Sequence, residues 1–234
     1  MVRHGKFIVI DGTDGSGKST QTDLLIKRLR DNSFDVLNIK FPQYGKKSAG
    51  LIEEYLRAGK YGSAASVGPY RASIFYACDR YDASFQILKA LAENKIVVTD
   101  RYVTANMAHQ GGKIANNEER IKFFKWLEEL EYSIFEIPRP DLNLILHVNT
   151  DITSNLIDHR VDETGDKRDI HEADLNHLRS AEKVYLEIAT MMLNTELIEC
   201  VEDNQIMTRE RISDIIWNKV MKKINETINE TTWE

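Results

Sequence analysis

Short apolar runs alternate along the chain with longer stretches in which apolar and charged residues recur at helical intervals. The first run, Phe-Ile-Val-Ile at 7–10, is typical of a strand buried on both faces of a parallel sheet. Strands are predicted at 7–11, 35–40, 96–99, 142–148 and 196–201. Helices are predicted at about 18–31, 48–58, 69–94, 117–130, 150–158, 171–193 and 208–226. This alternation predicts an α/β fold in which a doubly wound sheet of five parallel strands is flanked by helices.

The chain has 234 residues, and its 4 prolines and 12 glycines form no long linker that would divide it. We therefore expect a single domain over residues 1–234. A segment at about 159–170 is dense in charge and nearly free of apolar residues, which suggests a lid that closes over phosphates; a plain solvated loop is the open alternative. From about 225 the sequence is polar, and we expect a frayed tail.

Composition narrows the function classes. The net charge of −6 argues against a general nucleic-acid binder, which would normally carry a basic surface. No stretch approaches the length of a membrane span, and the first strand begins too close to the N-terminus to leave room for a signal peptide. Cys78 and Cys200 form neither a metal pattern nor a disulfide framework. We expect a cytoplasmic protein that binds neither nucleic acid nor membrane.

The pattern G-x-x-x-x-G-K-[ST] occurs at 12–19, between the first predicted strand and the first predicted helix. Its glycines let backbone N–H groups curl around a phosphate chain, Lys18 can reach the β- and γ-phosphates, and the Ser19 hydroxyl can bind Mg²⁺. The N-terminus of the following helix adds partial positive charge where the phosphates would lie. In this context, the pattern predicts a P-loop rather than a Gly-rich turn with an incidental lysine.

Asp100 and Arg101 follow the third predicted strand directly. Because the carboxyl ends of parallel strands meet at one edge, we expect both side chains beside the P-loop. Asp100 could then complete the Mg²⁺ shell, and the planar fork of Arg101 suits phosphate oxygens. An ordinary turn with an exposed ion pair is the competing interpretation.

The long helix predicted at 69–94 carries two stripes at helical spacing. A plausible core stripe contains Ile74, Ala77, Cys78, Tyr81, Phe85 and Leu88. The other stripe contains Ser73, Tyr76, Arg80 and Ser84. Tyr76 and Arg80 are neighbours on the helix surface, where an aromatic plane could stack on a base and a guanidinium could donate to its carbonyl oxygens. A packed tyrosine and a solvated arginine are the alternative.

These residues resemble the thymidylate kinase family of P-loop nucleoside monophosphate kinases, over most of the chain from Phe7 to about Ala189. The resemblance lies in motifs at 11–21, 41–45 (Phe-Pro-Gln-Tyr-Gly), 76–80 (Tyr-Ala-Cys-Asp-Arg), 100–110 (Asp-Arg-Tyr-Val-Thr-Ala-Asn-Met-Ala-His-Gln), 169–172 and 185–189, in the family's order. The departures are Asp11 where Glu is common, Tyr76 for Phe, Gln43 for Arg, Ala105 for Ser and His109 for Tyr. Gln43 removes a charge near the acceptor phosphate, and His109 changes the surroundings of the sugar.

The resemblance implies roles for the matching residues. Binding of ATP is implied for Gly12, Asp14, Gly15, Ser16, Gly17, Lys18, Ser19 and Thr20, with Mg²⁺ at Ser19 and Asp100. Binding of the acceptor dTMP is implied for Asp14, Phe41, Tyr44, Tyr76, Arg80, Arg101, Asn106 and His109. Among these, Asp14 would bond the sugar 3′-hydroxyl, Tyr76 would stack on thymine, and Arg80 would donate to its O4. Arg101 would grip the phosphate, and Asn106 would help to orient the base.

Catalysis is implied for Lys18, Arg101, Arg160 and Arg168. The two lid arginines are included because Gly15 occupies a position where some family members carry a catalytic arginine. The expected reaction is ATP + dTMP to ADP + dTDP, a step toward dTTP, in an enzyme that is commonly a homodimer. The stripe with Ile74, Cys78, Tyr81 and Phe85 could supply the dimer surface, and a role in the intramolecular core explains it equally well. Two alternatives stay open: a deoxynucleoside kinase, with Asp11 as its base, and a non-catalytic nucleotide-binding module.

Overall fold

The computed structural model describes residues 5–56, 60–62, 64–152 and 175–230. Within these ranges the main sheet contains β1 (Lys6–Gly12), β2 (Val36–Lys40), β3 (Ile96–Asp100), β4 (Leu142–His147) and β5 (Thr195–Glu199). All strand pairs are parallel, and the order across the sheet is β2-β3-β1-β4-β5. The predicted five-stranded parallel sheet is therefore confirmed. The carboxyl ends of β1, β2 and β3 meet at one edge, where α/β proteins bind ligands.

The described helices are α1 (Lys18–Asp31), α2 (Gly50–Leu56), α3 (Ala64–Val67), α4 (Pro69–Ala92), α5 (Val103–Gly111), α6 (Asn117–Glu128), α7 (Leu175–Met191) and α8 (Arg209–Glu230). The remaining elements are a 3₁₀ turn at Lys47–Ala49, a π-helix at Glu129–Ile134, and a hairpin of β6 (Val201–Glu202) and β7 (Gln205–Ile206). The helix α8 continues beyond 225, where the sequence predicts a frayed tail. None of the described helices is long and apolar enough to cross a membrane.

The sequence pattern did not predict α5. Every residue of this helix is buried, because it packs between the sheet and the helices α4, α6 and α7. A helix that is enclosed on all sides has no polar face, and its sequence therefore lacks the amphipathic period that identifies surface helices. The omission is important because α5 carries Asn106 and His109.

The core forms two layers, one on each face of the sheet. In β1, Phe7 and Val9 belong to the layer under α4, α5, α6 and α7, whereas Ile8 and Ile10 belong to the layer under α1 and α8. This alternation is the period-two arrangement of strand side chains. Because both faces are covered, β1 reads as a continuous apolar run.

The two stripes of α4 are placed opposite to the predicted arrangement. Four members of the predicted core stripe are exposed, at 41% for Ile74, 42% for Tyr81, 62% for Phe85 and 46% for Leu88. The polar stripe is the buried one, and it includes Ser73, Arg80 and Ser84. Polar groups can be buried when partners satisfy them, and here Arg80 reaches Glu131 while Ser73 reaches Asn106. The solvated-arginine interpretation of Arg80 is therefore wrong.

Candidate active site

A cavity of ≈ 360 Å³ opens at the carboxyl ends of β1, β2 and β3. Its size suits a small-molecule ligand. Its lining residues are Asp14, Ser19, Lys40, Phe41, Pro42, Tyr44, Leu56, Tyr76, Asp79, Arg80, Asp100, Arg101, Tyr102, Ala105, Asn106, His109 and Gln110. Apolar and aromatic walls therefore surround a group of charged side chains. We call this space the acceptor cavity.

The P-loop joins β1 to α1 at the rim of this cavity. Gly12 has φ 140° and Gly17 has φ 84°, which are backbone conformations that side-chain-bearing residues rarely adopt. Lys18 is buried, and its Nζ donates to the Thr13 carbonyl at 2.7 Å and lies 3.6 Å from Asp14 Oδ1. Burial and the neighbouring Arg101 lower the pKa of Lys18, and the Asp14 carboxylate opposes them. A helix N-terminus and an enclosed ammonium group thus face the place where a phosphate chain would lie.

Ser19 and Asp100 connect the P-loop to β3. The Ser19 hydroxyl donates to Asp100 Oδ2 at 2.6 Å, and Asp100 Oδ1 is buried without a hydrogen-bond partner among the described residues. A hydroxyl and a carboxylate are oxygen ligands of the kind that Mg²⁺ prefers, usually with phosphate oxygens and water completing its shell. In the described part of the chain, no group of three or more His, Cys, Asp or Glu side chains could hold a metal ion alone. The donor set therefore fits Mg²⁺ that arrives with a nucleotide.

Arg101 adopts a left-handed backbone conformation, with φ 67°, which is costly for a residue with a side chain. Its backbone N–H donates to the Ile10 carbonyl at 2.9 Å, and its guanidinium donates through Nη2 to Asp14 Oδ1 and through Nη1 to His109 Nε2 at 3.0 Å. Burial alone would raise the pKa of Asp14, but the neighbouring positive charges, chiefly that of Arg101, and the hydrogen bond from Arg101 together hold that pKa well below its usual value. These contacts present a fixed, charged guanidinium to the cavity.

Arg80 on α4 lines the cavity, and the Glu131 carboxylate neutralises its charge. Its Nε and Nη2 donate to the Glu131 carboxylate at 2.5 and 2.6 Å, and both side chains are buried. Burial would lower the pKa of Arg80, but Glu131 more than compensates, and the pKa is raised. This pair orients the guanidinium and leaves its Nη1 edge at 3.5 Å from the Tyr102 carbonyl. Asn106 is oriented in turn by Ser73, whose carbonyl accepts from Asn106 Nδ2 at 3.3 Å.

Asp11 lies beneath the P-loop and is fully buried. Its carboxylate accepts from the Gly12 backbone N–H at 2.9 Å, from Thr104 Oγ1 at 2.7 Å and from the Tyr185 hydroxyl at 2.7 Å. Burial raises the pKa of Asp11, although these donors and Arg101 counteract it. The side chain does not belong to the cavity lining. It therefore anchors the loop instead of facing an acceptor hydroxyl.

A model of the thymidylate kinase family matches residues 10–211. The chain belongs to the thymidylate kinase family. It is therefore a nucleoside monophosphate kinase with thymidylate kinase activity, and the family implies ATP as phosphoryl donor and dTMP as acceptor.

Individual thymidylate kinases agree with this result. That of Mycobacterium tuberculosis is 29% identical over 183 residues, which cover 78% of this chain and 85% of the relative. A probable thymidylate kinase of Pyrococcus abyssi is 31% identical over 146 residues, or 61% of this chain and 64% of the relative. The solved structure of a Candida albicans thymidylate kinase superposes with a TM-score of 0.74, covering 96% of this chain and 95% of that one. At 21% identity this structure supports the fold alone.

The structure brings the residues implied for a thymidylate kinase acceptor site to one cavity. Those lining it are Asp14, Phe41, Tyr44, Tyr76, Arg80, Arg101, Asn106 and His109, together with Ser19 and Asp100. Their individual roles stay predictions. Arg160, Arg168 and the lid predicted at about 159–170 lie outside the described residues.

Sequence reasoning missed the residues that hold these side chains in place. Glu131 lies on a π-helix and His177 on α7, far along the chain from Arg80 and His109, and no spacing rule connects them. Tyr185 belongs to a motif that indicated the family but gave no contact. Gln43 is buried and bonded to Asp79 instead of lining the cavity.

Proposed function

We propose that this chain is a single-domain dTMP kinase that transfers the γ-phosphoryl group of ATP to the dTMP phosphate, as a step toward dTTP. The observation that carries the proposal is the contact between Arg101 of the acceptor cavity and Asp14 of the P-loop. It supports the proposal because the arginine proposed to bind the acceptor phosphate lies against the loop proposed to bind the donor phosphates. An oxygen of the dTMP phosphate bonds to the γ-phosphorus. The bond to the β,γ-bridging oxygen breaks, and ADP leaves with its electron pair.

The residues contribute position and charge to this transfer. Lys18 binds the β- and γ-phosphates together with the loop backbone from Gly12 to Thr20, and Ser19 and Asp100 hold Mg²⁺. When bound there, Mg²⁺ neutralises charge on the donor phosphates. Arg101 binds the acceptor phosphate and shares the charge of the transferred group with Lys18. The acceptor oxygen is already anionic, so that no general base is needed.

The acceptor is recognised by the remaining cavity residues. Tyr76 stacks on thymine, the outward edge of Arg80 donates to O4, and Asn106 orients the base. Asp14 bonds the sugar 3′-hydroxyl, and His109 lies beside the sugar. Phe41 and Tyr44 complete the apolar wall. Arg160 and Arg168 are proposed to add positive charge to the transferring group.

Two alternatives are less well supported. A deoxynucleoside kinase needs a base near the acceptor hydroxyl, but Asp11 is buried under three donors and does not line the cavity. A non-catalytic module would not need the catalytic groups, yet Lys18 lies close enough to Asp100 and Arg101 to interact electrostatically with both.

We also propose that the protein forms a homodimer through the exposed apolar face of α4, formed by Ile74, Tyr81, Phe85 and Leu88. The ring of Tyr81 packs on Phe135 at 5.1 Å, which extends this face toward the exposed Ile134. Apolar patches of this kind mark interaction surfaces. Light scattering is expected to give the mass of a dimer for the unaltered protein and that of a monomer for Phe85→Glu. The same mass for the two proteins would contradict the proposed face. The cytoplasmic location stays a prediction.

The experiment that tests the function is ADP release from ATP and Mg²⁺ with dTMP, dUMP, UMP and thymidine offered separately. The proposal expects turnover on dTMP and little on thymidine. Turnover on thymidine alone would assign a nucleoside kinase instead. Binding of ATP without turnover on any acceptor would favour the non-catalytic module.

A further inference from the structure

Two histidines from different helices meet behind Arg101. His109 lies near the end of α5, and His177 lies in the first turn of the described α7. Their ring centroids lie 5.5 Å apart with the ring planes inclined by 27°, so that the rings meet through their edges, and both side chains are buried. His109 lines the acceptor cavity, whereas His177 does not. His177 therefore contacts the acceptor site through another residue.

The chemistry of the groups fixes the direction of each hydrogen bond. Arg101 Nη1 lies 3.0 Å from His109 Nε2, and a guanidinium can only donate, so that His109 Nε2 carries no proton. A neutral His109 must then carry its proton on Nδ1. That nitrogen lies 3.3 Å from His177 Nε2, which must therefore accept. The donors run in one direction, from Arg101 to His109 to His177.

We infer that His177 is a positioning residue for the acceptor phosphate, because its acceptor nitrogen stabilises the tautomer of His109 that can hold the Arg101 guanidinium in the cavity. The inference rests on the proposed function, in which Arg101 binds that phosphate. With the other tautomer, His109 would point an N–H group at the guanidinium N–H groups. The acceptor nitrogen of His177 prevents this by stabilising a proton on His109 Nδ1.

The contacts around Arg101 explain why the orientation of one imidazole matters. Asp14 fixes Nη2 and His109 fixes Nη1, so that two neighbouring edges of the planar fork are held from different elements. The Tyr185 ring meets the His109 ring edge-on, with centroids 6.0 Å apart, and limits its rotation. Among the described residues, loss of the His109 contact would leave Asp14 as the side chain that bonds the guanidinium. A misplaced phosphate-binding group lowers both affinity and rate.

The first test measures the tautomer directly, by ¹⁵N NMR of the histidine rings in the full chain without nucleotide. His109→Gln assigns the resonances of His109. We expect a protonated Nδ1 and an unprotonated Nε2 for His109, and His177→Phe should convert this pattern into a mixture of tautomers. A proton on His109 Nε2 in the unaltered protein would overturn the inference, even if His177→Phe failed to fold.

The second test separates positioning from packing. His177→Phe fills the space without an acceptor, whereas His177→Gln supplies an amide oxygen that can accept from His109. We expect His177→Phe to raise the KM for dTMP by roughly tenfold while the KM for ATP is unchanged, and His177→Gln to restore most of the loss. An equal change in the KM for dTMP in the two variants, or an unchanged KM for dTMP in His177→Phe, would overturn the inference about His177. The expected tautomer in a protein that does not turn over dTMP would refute the proposed function alone.

Discussion

In the P-loop, Lys18 donates to Thr13, 5 residues earlier, whereas in the acceptor cavity Arg80 is held by Glu131, 51 residues later. The P-loop half of the active site is thus built on one continuous segment, β1, the loop and α1, although Asp11 and Ser19 also bond to residues far along the chain. The acceptor half depends on side chains that the fold brings from distant elements. Both halves meet at Asp14, which belongs to the loop and binds Arg101 across 87 residues of sequence. The comparison predicts that substitutions in the acceptor half mainly lower the stability of the protein, whereas substitutions in the P-loop half mainly lower its turnover.

The largest expected effect is on stability, from Glu131→Ala in the acceptor half. The change leaves the buried Arg80 charge without its partner, which is expected to cost about 3–5 kcal/mol of unfolding free energy. Denaturant unfolding measures it. Glu128→Ala is the matched control, because Glu128 forms an ion pair with Arg139 at the surface and should change little. A loss in Glu131→Ala no larger than in this control would mean that the acceptor half does not depend on the buried pair.

Lys18→Ala is the corresponding change in the P-loop half. We expect a fall in turnover on the order of 10²-fold or more, with little loss of stability, because an electrostatic stabiliser is removed from a preformed loop. Steady-state ADP release measures it, and Lys27→Ala on the exposed side of α1 is the control. Near-normal turnover in a folded Lys18→Ala protein would remove Lys18 from the catalytic residues.

The separation along the chain between contacting residues also decides which features could be predicted from the sequence. The P-loop was identified from its own residues, and β1, β3 and β4 were found from apolar runs because these strands are buried. The tight carboxylate contacts of Arg80 and Asp11 were not predicted, because Glu131 and Tyr185 lie far away in sequence and partner identity depends on tertiary packing. The interpretation of the apolar stripe of α4 as core was wrong for Ile74, Tyr81, Phe85 and Leu88 for a related reason. Periodicity identifies two faces, but only the position of Glu131 and α5 decides that the polar face is the buried one.

Tyr185→Phe tests a place where the P-loop half depends on a residue far along the chain. The Tyr185 hydroxyl donates to Asp11 across 174 residues of sequence, and burial and Asp11 raise the Tyr185 pKa well above its usual value. Removing the hydroxyl leaves a buried carboxylate oxygen with one donor fewer, which is expected to cost about 1–3 kcal/mol of unfolding free energy. We also expect a higher KM for ATP, because Asp11 anchors the loop.

Tyr70→Phe is the control for this change, because Tyr70 is 43% exposed and packs through its ring on Phe123 and Trp126. A Tyr185→Phe protein as stable as Tyr70→Phe would show that Thr104 and the Gly12 backbone suffice for Asp11.

The smallest expected effect is outside the crevice, at His147 on β4. Its Nε2 lies 3.0 Å from Glu182 Oε1 and its Nδ1 lies 2.7 Å from Glu199 Oε2, and the bond to Glu182, aided by Glu199, outweighs burial and raises the His147 pKa from 6.5 to about 9. Because the folded protein favours the charged imidazole, this stabilisation is fully present below the unfolded pKa and is lost as the pH rises through the folded pKa.

The pair of carboxylates around His147 is partly solvated, so that the stabilisation should amount to only about 1 kcal/mol. The unfolding free energy of the unaltered protein should therefore fall toward that of His147→Gln between pH 6.5 and about 9, as measured by denaturant unfolding at each pH. The KM values for ATP and dTMP should be the same in both proteins. This contact is also long-range, since it joins β4 to α7. If the loss of the His147 contact raised the KM for dTMP, binding of the acceptor would depend on long-range contacts anywhere in the fold, and not only on those of the acceptor half.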